Sequence, residues 1–244
     1  MLIKPVQIYF SFPKTSKKLT NPNFTIYHCN INRLFYVLYK TYFVCHFLDY
    51  YATPENFSQV PNFLQEYKRC LANKKFDEAK KTNKEINCLI TNEIKTTGWE
   101  LMSFAEDLVR KADRFEESIP VYFAAASLFK KEGNSVRMSE CVGDDEWGGG
   151  IHGANMRIVQ RDVTMKEVVK YHVIPLMHDV KKQMLEVTSV SEKDKCWAMV
   201  LVHEAIAWSE KLVDDDQASK KALKESRAWE EKRMVEEDTR CVVI

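Results

Sequence analysis

Residues 98–134, GWELMSFAEDLVRKADRFEESIPVYFAAASLFKKEGN, carry apolar side chains at intervals of three and four on either side of a short polar turn. One face of the first half presents Leu101, Ala105, Leu108 and Ala112, and one face of the second presents Phe115, Ile119, Tyr122, Ala125 and Phe129. This interval is typical of an amphipathic α-helix that buries one face. The segment therefore predicts two antiparallel helices.

The same pattern occurs upstream, where a turn at NKK separates two further apolar stripes. The first stripe comprises Phe63, Leu64, Tyr67, Cys70 and Leu71, and the second comprises Phe76, Ala79, Asn83 and Ile86. KKFDEAKKTNKEI and DRFEESIPVYFAA align, with their aromatic residues 39 positions apart. The repetition predicts a second helical hairpin of the same kind.

The two hairpins, at about residues 59–133, resemble tetratricopeptide repeats and the three-helix microtubule-interacting-and-trafficking (MIT) domain. The resemblance is carried by Leu101, Ala105, Phe115, Ser118, Tyr122 and Ala125. It implies that small residues at Ala105 and Ser118 let two helices approach closely, while Phe115 plugs the turn. Tetratricopeptide units usually repeat every ~34 residues. The longer interval, Ser118 in place of the usual Ala, and the missing closing Pro depart from that pattern.

The second half of the chain predicts longer helices. Thr164 is expected to cap one of them with Glu167 as its capping-box partner, and Pro175 is expected to kink it. Ser191 and Asp194 form a second capping-box pattern ahead of a broad apolar stripe. That stripe comprises Trp197, Val200, Leu201, Ala205, Trp208 and Leu212. The last, mostly charged helix offers little to bury, so we expect it to project.

The fold prediction is therefore all-α, an antiparallel, solenoid-like array of helical hairpins with a poorly specified N-terminal segment. The predicted regions are an aromatic, basic segment at 1–53, helical hairpins at 54–141, a Gly-rich loop at 142–153, C-terminal helices at 154–237 and a tail at 238–244. The Gly-rich loop lacks the Lys-Ser or Lys-Thr of a phosphate-binding loop and is flanked by acids. We expect a connecting loop that could contact a partner through Trp147.

The N-terminal segment differs in composition from the rest of the chain. Residues 1–54 carry a net charge of +5, whereas the whole chain carries +1. Its most apolar stretch, NRLFYVLYKTYFVCHFLDYY, is interrupted by Lys40, His46 and Asp49, and the uninterrupted runs are shorter than the ~20 residues of a membrane span. Two interpretations stay open: an aromatic helix that docks on the body, or translated sequence upstream of the true start.

Composition restricts the function classes. The chain has 36 Lys+Arg against 35 Asp+Glu, so net charge gives no support to nucleic-acid binding. The 7 cysteines are irregularly spaced and form no C-x-x-C pair, which indicates a reducing, cytoplasmic compartment.

No motif of the sequence predicts a catalytic, cofactor or metal residue. HEAIA begins like H-E-x-x-H, but Ala207 stands where the second histidine of such a zinc site is required. The alternative is an enzyme that uses His172, His178 or His203. A cleft that joins two of these histidines to an acid would favour the enzyme hypothesis and would count against a purely binding function.

The C-terminal CVVI is similar to a CaaX prenylation signal, with Cys241 as the lipidated residue and Ile244 favouring geranylgeranyl. One prenyl chain gives only marginal, reversible anchoring, and the upstream EEKRMVEED is not polybasic. We therefore expect a cytoplasmic protein that is peripheral at a membrane. The tail could instead be an ordinary hydrophobic chain end.

These observations predict a non-enzymatic helical adaptor. Its partner, a helix or an extended peptide, would lie in a groove between the hairpins lined by Tyr67, Phe76, Phe115 and Tyr122. A subunit of a larger helical complex, whose core needs another chain, is the second hypothesis.

Overall fold

A computed structural model describes residues 59–143 and 149–241, with side chains described through Val235. The N-terminal segment 1–53, Trp147 and residues 242–244 lie outside the described residues. All described residues belong to one of the two units into which the chain divides, Lys40–Ile244.

The described residues form helices and contain no β-strand, which confirms the all-α prediction. The helices are α1 (Val60–Ala72), α2 (Phe76–Glu93), α3 (Gly98–Arg110), α4 (Phe115–Lys131), α5 (Ser135–Val142), α6 (Gly150–Arg161), α7 (Ile174–Leu185), α8 (Glu192–Leu212) and α9 (Asp216–Cys241). A 3-10 turn (Val163–Met165), an α-helical turn (Lys166–Val168) and a π-helical segment (Val169–Val173) lead into α7.

The two predicted hairpins are α1–α2 and α3–α4, and their apolar stripes are largely buried. Each turn contains one non-glycine residue in the left-handed region, Lys74 and Asp113, both with φ of 54°. The carbonyls of Cys70 and Leu108 accept hydrogen bonds at 2.9 Å from the backbone N–H groups of Lys75 and Arg114, respectively. Both turns therefore close their helix ends in a similar way and return the chain antiparallel.

Helix α4 is the centre of the molecule. All its residues from Phe115 to Ala126 are buried, and it contacts α1, α2, α3, α5, α6 and α7. Two carboxylates are buried with it and are paired: Glu116 with Arg161, and Glu117 with Arg114 and Lys68. Because α4 packs against helices of both predicted helical regions, the two regions share one hydrophobic core.

The Gly-rich loop is shorter than the predicted 142–153, because α5 ends at Val142 and α6 begins at Gly150. Gly150 has φ of +68°, and a Cβ there would lie 2.8 and 2.9 Å from the carbonyl oxygens of Glu140 and Cys141. Only glycine fits this close approach of two helix ends. Part of the glycine cluster thus serves helix packing.

The predicted cap ahead of α7 is wrong. The Asp162 side chain, not Thr164, caps this segment by accepting a hydrogen bond from the Thr164 backbone N–H. Glu167 forms an ion pair with Lys74 instead of a capping box. The π-helical segment ends at Val173, two residues before Pro175. Because Pro175 has no N–H to donate, regular α-helical hydrogen bonding is interrupted at the place where the sequence predicts a kink.

Helices α8 and α9 form the third hairpin. The Ser191 hydroxyl accepts a hydrogen bond from the Asp194 backbone N–H, which confirms Ser191 as the cap. The capping box is incomplete, because the Asp194 carboxylate accepts from the Ser191 hydroxyl and not from its backbone N–H. Helix α9 does not simply project: Ser219, Ala222 and Ser226 are buried against the body. These small side chains let α9 approach α8 closely although they offer little apolar surface. A pattern of large apolar residues therefore does not predict this contact.

Candidate functional site

A cavity of about 350 Å³ lies among α7, α8 and α9. It is lined by His178 and Lys181 of α7, His203, Ile206 and Glu210 of α8, and Ala218, Lys221, Ala222 and Glu225 of α9. Two of the three histidines singled out in the sequence thus share one cavity with two carboxylates. This is the arrangement that favours a chemical or ligand-binding function over a purely structural role.

His203 is the buried polar group of this cavity, only 2% exposed. Its Nδ1 lies 3.2 Å from Oε2 of Glu225. The approach lacks hydrogen-bond geometry, so Nδ1 has no hydrogen-bond partner among the described residues. Burial, reinforced by the nearby positive charge of Lys181, lowers the pKa of His203 to about 4. The imidazole is therefore neutral at pH 7 and offers a lone pair.

The charged residues of the cavity are two lysines and two glutamates, so their charges balance. Glu225 is half-exposed, and its carboxylate lies 3.7 Å from Nζ of Lys181. Burial and the nearby Asp215 raise the pKa of Glu210. No serine, threonine or cysteine lines the cavity, so it contains bases and cations but no side-chain hydroxyl or thiol nucleophile.

His172 lies elsewhere. Its Nε2 is 3.0 Å from the Tyr67 hydroxyl, and its ring stacks on Phe76. Burial, together with the charge of Lys80, lowers the pKa of His172 to about 4. His172 therefore ties the π-helical segment to α1 and α2 in the core and does not join the other two histidines.

A serine–histidine pair that the sequence does not reveal lies between α6 and α8. The Oγ atom of Ser209 is 2.9 Å from Nδ1 of His152 and 3.4 Å from Nδ2 of Asn155. This spacing suits a nucleophile and its base. Ser209 is fully buried, however, so no substrate reaches it in this structure, and the cluster is a buried polar contact of the core.

The predicted partner groove is wrong in its residues. Tyr67 and Tyr122 are fully buried, Phe115 is 8% exposed, and Phe76 packs against the core. The aromatic side chains that mark the stripes meet one another and the other helices of the same chain. The hairpins therefore present no open groove lined by these four residues.

Exposed aromatic side chains lie on α8 instead. Trp197 is 41% and Trp208 is 54% exposed, and the 11-residue interval places them on the same side of the helix. Arg233 lies over the Trp197 ring at 5.3 Å and Lys211 over the Trp208 ring at 5.5 Å. We call Trp197, Leu201, Glu204, Trp208 and Lys211 the α8 stripe.

A further cluster joins Glu66, Cys70 and Glu78, whose ligand atoms lie within 4.8 Å of one another. Both carboxylates already have cationic partners, Arg69 and Lys75. Burial and the two carboxylates raise the pKa of Cys70, which keeps its thiol protonated. The cluster is thus a network of surface ion pairs around a buried thiol.

The predicted lipidation site lies at the end of the described chain. Cys241 is the last residue of α9, and the three residues after it lie outside the described part. None of the described helices combines the length and the apolar character needed to cross a membrane.

Comparisons of the chain with protein-family models, curated proteins and solved structures find no match. The resemblance to tetratricopeptide and MIT hairpins therefore stays a prediction based on the residues that carry it.

The pKa of His172 makes stability depend on pH. An unfolded histidine binds a proton near pH 6.5, but the folded His172 binds it only near pH 4, so acid favours the unfolded state. This residue alone should lower the free energy of unfolding by about 2 kcal/mol between pH 7 and pH 5. Chemical denaturation should therefore show a smaller pH 7 to pH 5 loss for His172→Gln than for the wild type.

His178→Gln, at an exposed position, serves as the comparison: burial lowers the pKa of His178 too, but less than that of His172, so this substitution should change the pH profile less than His172→Gln does. The comparison uses the difference between two pH values, so a general loss of stability in His172→Gln does not affect it. Identical pH profiles for His172→Gln and the wild type would contradict the buried, neutral histidine.

Proposed function

We propose that the protein is a non-enzymatic helical adaptor that binds a partner protein through the α8 stripe. The observation that carries the proposal is the pair of half-exposed tryptophans on one side of a helix that otherwise packs against its neighbours. Tryptophan is enriched among the residues that dominate binding energy at protein interfaces. The proposal moves the partner site from the predicted groove to the α8 stripe.

The stripe suits a partner helix. Eleven residues of α-helix span about 16 Å, so Trp197 and Trp208 offer two apolar anchors three turns apart. Leu201, only 8% exposed, lies between them in sequence on the same side of the helix, and Glu204 and Lys211 supply one charge of each sign. An amphipathic helix with apolar side chains at matching intervals would cover both indole rings.

A second candidate function is an enzyme, and the cavity favours it. His178 and His203 share that cavity with Glu210 and Glu225, as the sequence-based enzyme hypothesis requires. We place it second because no side-chain hydroxyl or thiol lines the cavity and because the pKa of His203 is too low for an efficient general base at pH 7.

The adaptor proposal predicts crosslinking from position 208. A photo-crosslinking amino acid in place of Trp208 of the full chain should give one discrete adduct in its cell of origin, and one in place of Trp99 should give none. Trp99 is the matched control because it is 50% exposed on α3. Trp197→Ala should weaken capture roughly 30-fold if Trp197 contributes about 2 kcal/mol, whereas Trp99→Ala should not change it.

The size of the adduct separates the hypotheses. A heterologous adduct sensitive to Trp197→Ala supports the adaptor. An adduct of twice the chain mass supports self-assembly into a larger helical complex and overturns the adaptor. Absence of any adduct from position 208, with unchanged circular dichroism, also overturns the proposed surface.

We further propose that Cys241 carries a prenyl group and brings the adaptor to a cytoplasmic membrane face. The support is the CVVI ending and the mostly charged sequence that precedes it. Because a single prenyl chain binds membranes only marginally, the association should be reversible.

Intact-mass measurement on the protein from eukaryotic cells should show a geranylgeranyl group on the wild type and none on Cys241→Ser. Cys241→Ser should also leave the membrane fraction. Cys88→Ser is the control, because Cys88 is a free and exposed cysteine of α2, and it should keep both the lipid and the membrane recovery. Equal membrane recovery of Cys241→Ser and wild type would contradict the lipid anchor.

A further inference from the structure

The cavity among α7, α8 and α9 contains a buried nitrogen that the rest of the structure leaves unused. Nδ1 of His203 has no hydrogen-bond partner among the described residues, although 98% of the residue's surface is shielded from solvent. Leaving a buried polar group unsatisfied is unfavourable, so such a nitrogen is a candidate to bind a group that the isolated chain does not provide.

The position of Glu225 indicates what that partner is. Its Oε2 lies 3.2 Å from Nδ1 of His203 without forming a hydrogen bond. Two ligands of a tetrahedral zinc ion, each bound at about 2.0–2.1 Å, lie about 3.3–3.4 Å apart. The imidazole nitrogen and the carboxylate oxygen are therefore already at the separation of two ligands of one metal ion.

We propose that His203, Glu225 and His178 bind a divalent transition-metal ion of the zinc class. Two histidines and one carboxylate are a common zinc ligand set, and they leave one coordination position for water or another ligand. The three residues come from three different helices, so a bound ion would fasten α7, α8 and α9 together. The proposal is independent of the adaptor function.

The third ligand is not yet in place. Among the described residues, only Glu66, Cys70 and Glu78 have three ligand atoms mutually within 4.8 Å, so His178 lies more than 4.8 Å from at least one of the other two ligand atoms. His178 is exposed and lines the same cavity, and rotation of its side chain is the movement that binding requires. The buried His203 and its neighbour Glu225 form the preorganised half of the site.

The lysines of the cavity oppose a cation, and their effect is testable. Lys181 lies 3.7 Å from Glu225, and Lys221 is exposed at the cavity wall. Both have long, flexible side chains that can carry their ammonium groups out into solvent. The two lysines and two glutamates of the cavity cancel in charge, so the cavity has no net positive charge to attract an anion such as phosphate. The imidazole nitrogens and carboxylate oxygens are electron-pair donors, which favour a metal ion.

Titration of the full chain with Co²⁺ and Zn²⁺ tests the site. We expect one Co²⁺ per chain with d–d absorption bands of a nitrogen and oxygen ligand set, displaced by Zn²⁺. Glu225→Gln, at a half-exposed position where folding is not at risk, should weaken binding at least 10-fold, as should His203→Gln and His178→Gln. Lys181→Gln, which removes the cation beside Glu225, should strengthen binding, while Cys70→Ser should leave this signal within about twofold.

Each other result overturns the proposal. No saturable binding, or binding unchanged by Glu225→Gln, removes the site. Thiolate-to-metal charge-transfer bands that disappear in Cys70→Ser assign the metal to the Glu66 cluster. Binding of inorganic phosphate that is lost in Lys181→Gln, with no metal binding, makes the cavity an anion site.

Discussion

Helix α4 has almost no face left for solvent: its residues are buried without interruption from Phe115 to Ala126. A helix buried on all sides needs neighbours on all sides, and α1, α2, α3, α5, α6 and α7 supply them. Its two buried carboxylates also need cations, which Arg161 of α6 and Arg114 of the preceding turn provide. The other six of the first seven helices are therefore arranged around α4, and together they bury its surface.

The helices and their buried faces are predictable from the sequence because both depend on intervals of three and four residues. The same intervals do not tell whether an apolar face meets another helix of the chain or a separate partner. For this reason Tyr67 and Tyr122 are correctly assigned to the apolar stripes but wrongly assigned to a partner groove, since both are buried within the chain. The close contacts at Gly150 and Ser219 escape prediction for a related reason, since small residues have little apolar surface of their own.

The cavity could not be predicted, because its polar lining residues belong to three helices and form no local motif. His203 begins a sequence that fails as H-E-x-x-H at Ala207, and its nearest carboxylate, Glu225, comes from the next helix. Only the α8–α9 hairpin brings these two together. Helix α8 therefore carries two distinct features, the half-exposed tryptophans of the α8 stripe and the buried imidazole of the cavity. The proposed partner surface and the proposed metal site both depend on how this helix packs.

Hydrogen exchange of the native full chain tests the central position of α4 most directly. Core elements exchange only through global unfolding, whereas exposed elements open locally at lower free energy. We expect α4 peptides to exchange with the free energy of global unfolding measured by chemical denaturation, and the end of α9 to exchange far faster. Exchange of α4 at the rate of the end of α9 would contradict a fold built around a buried central helix.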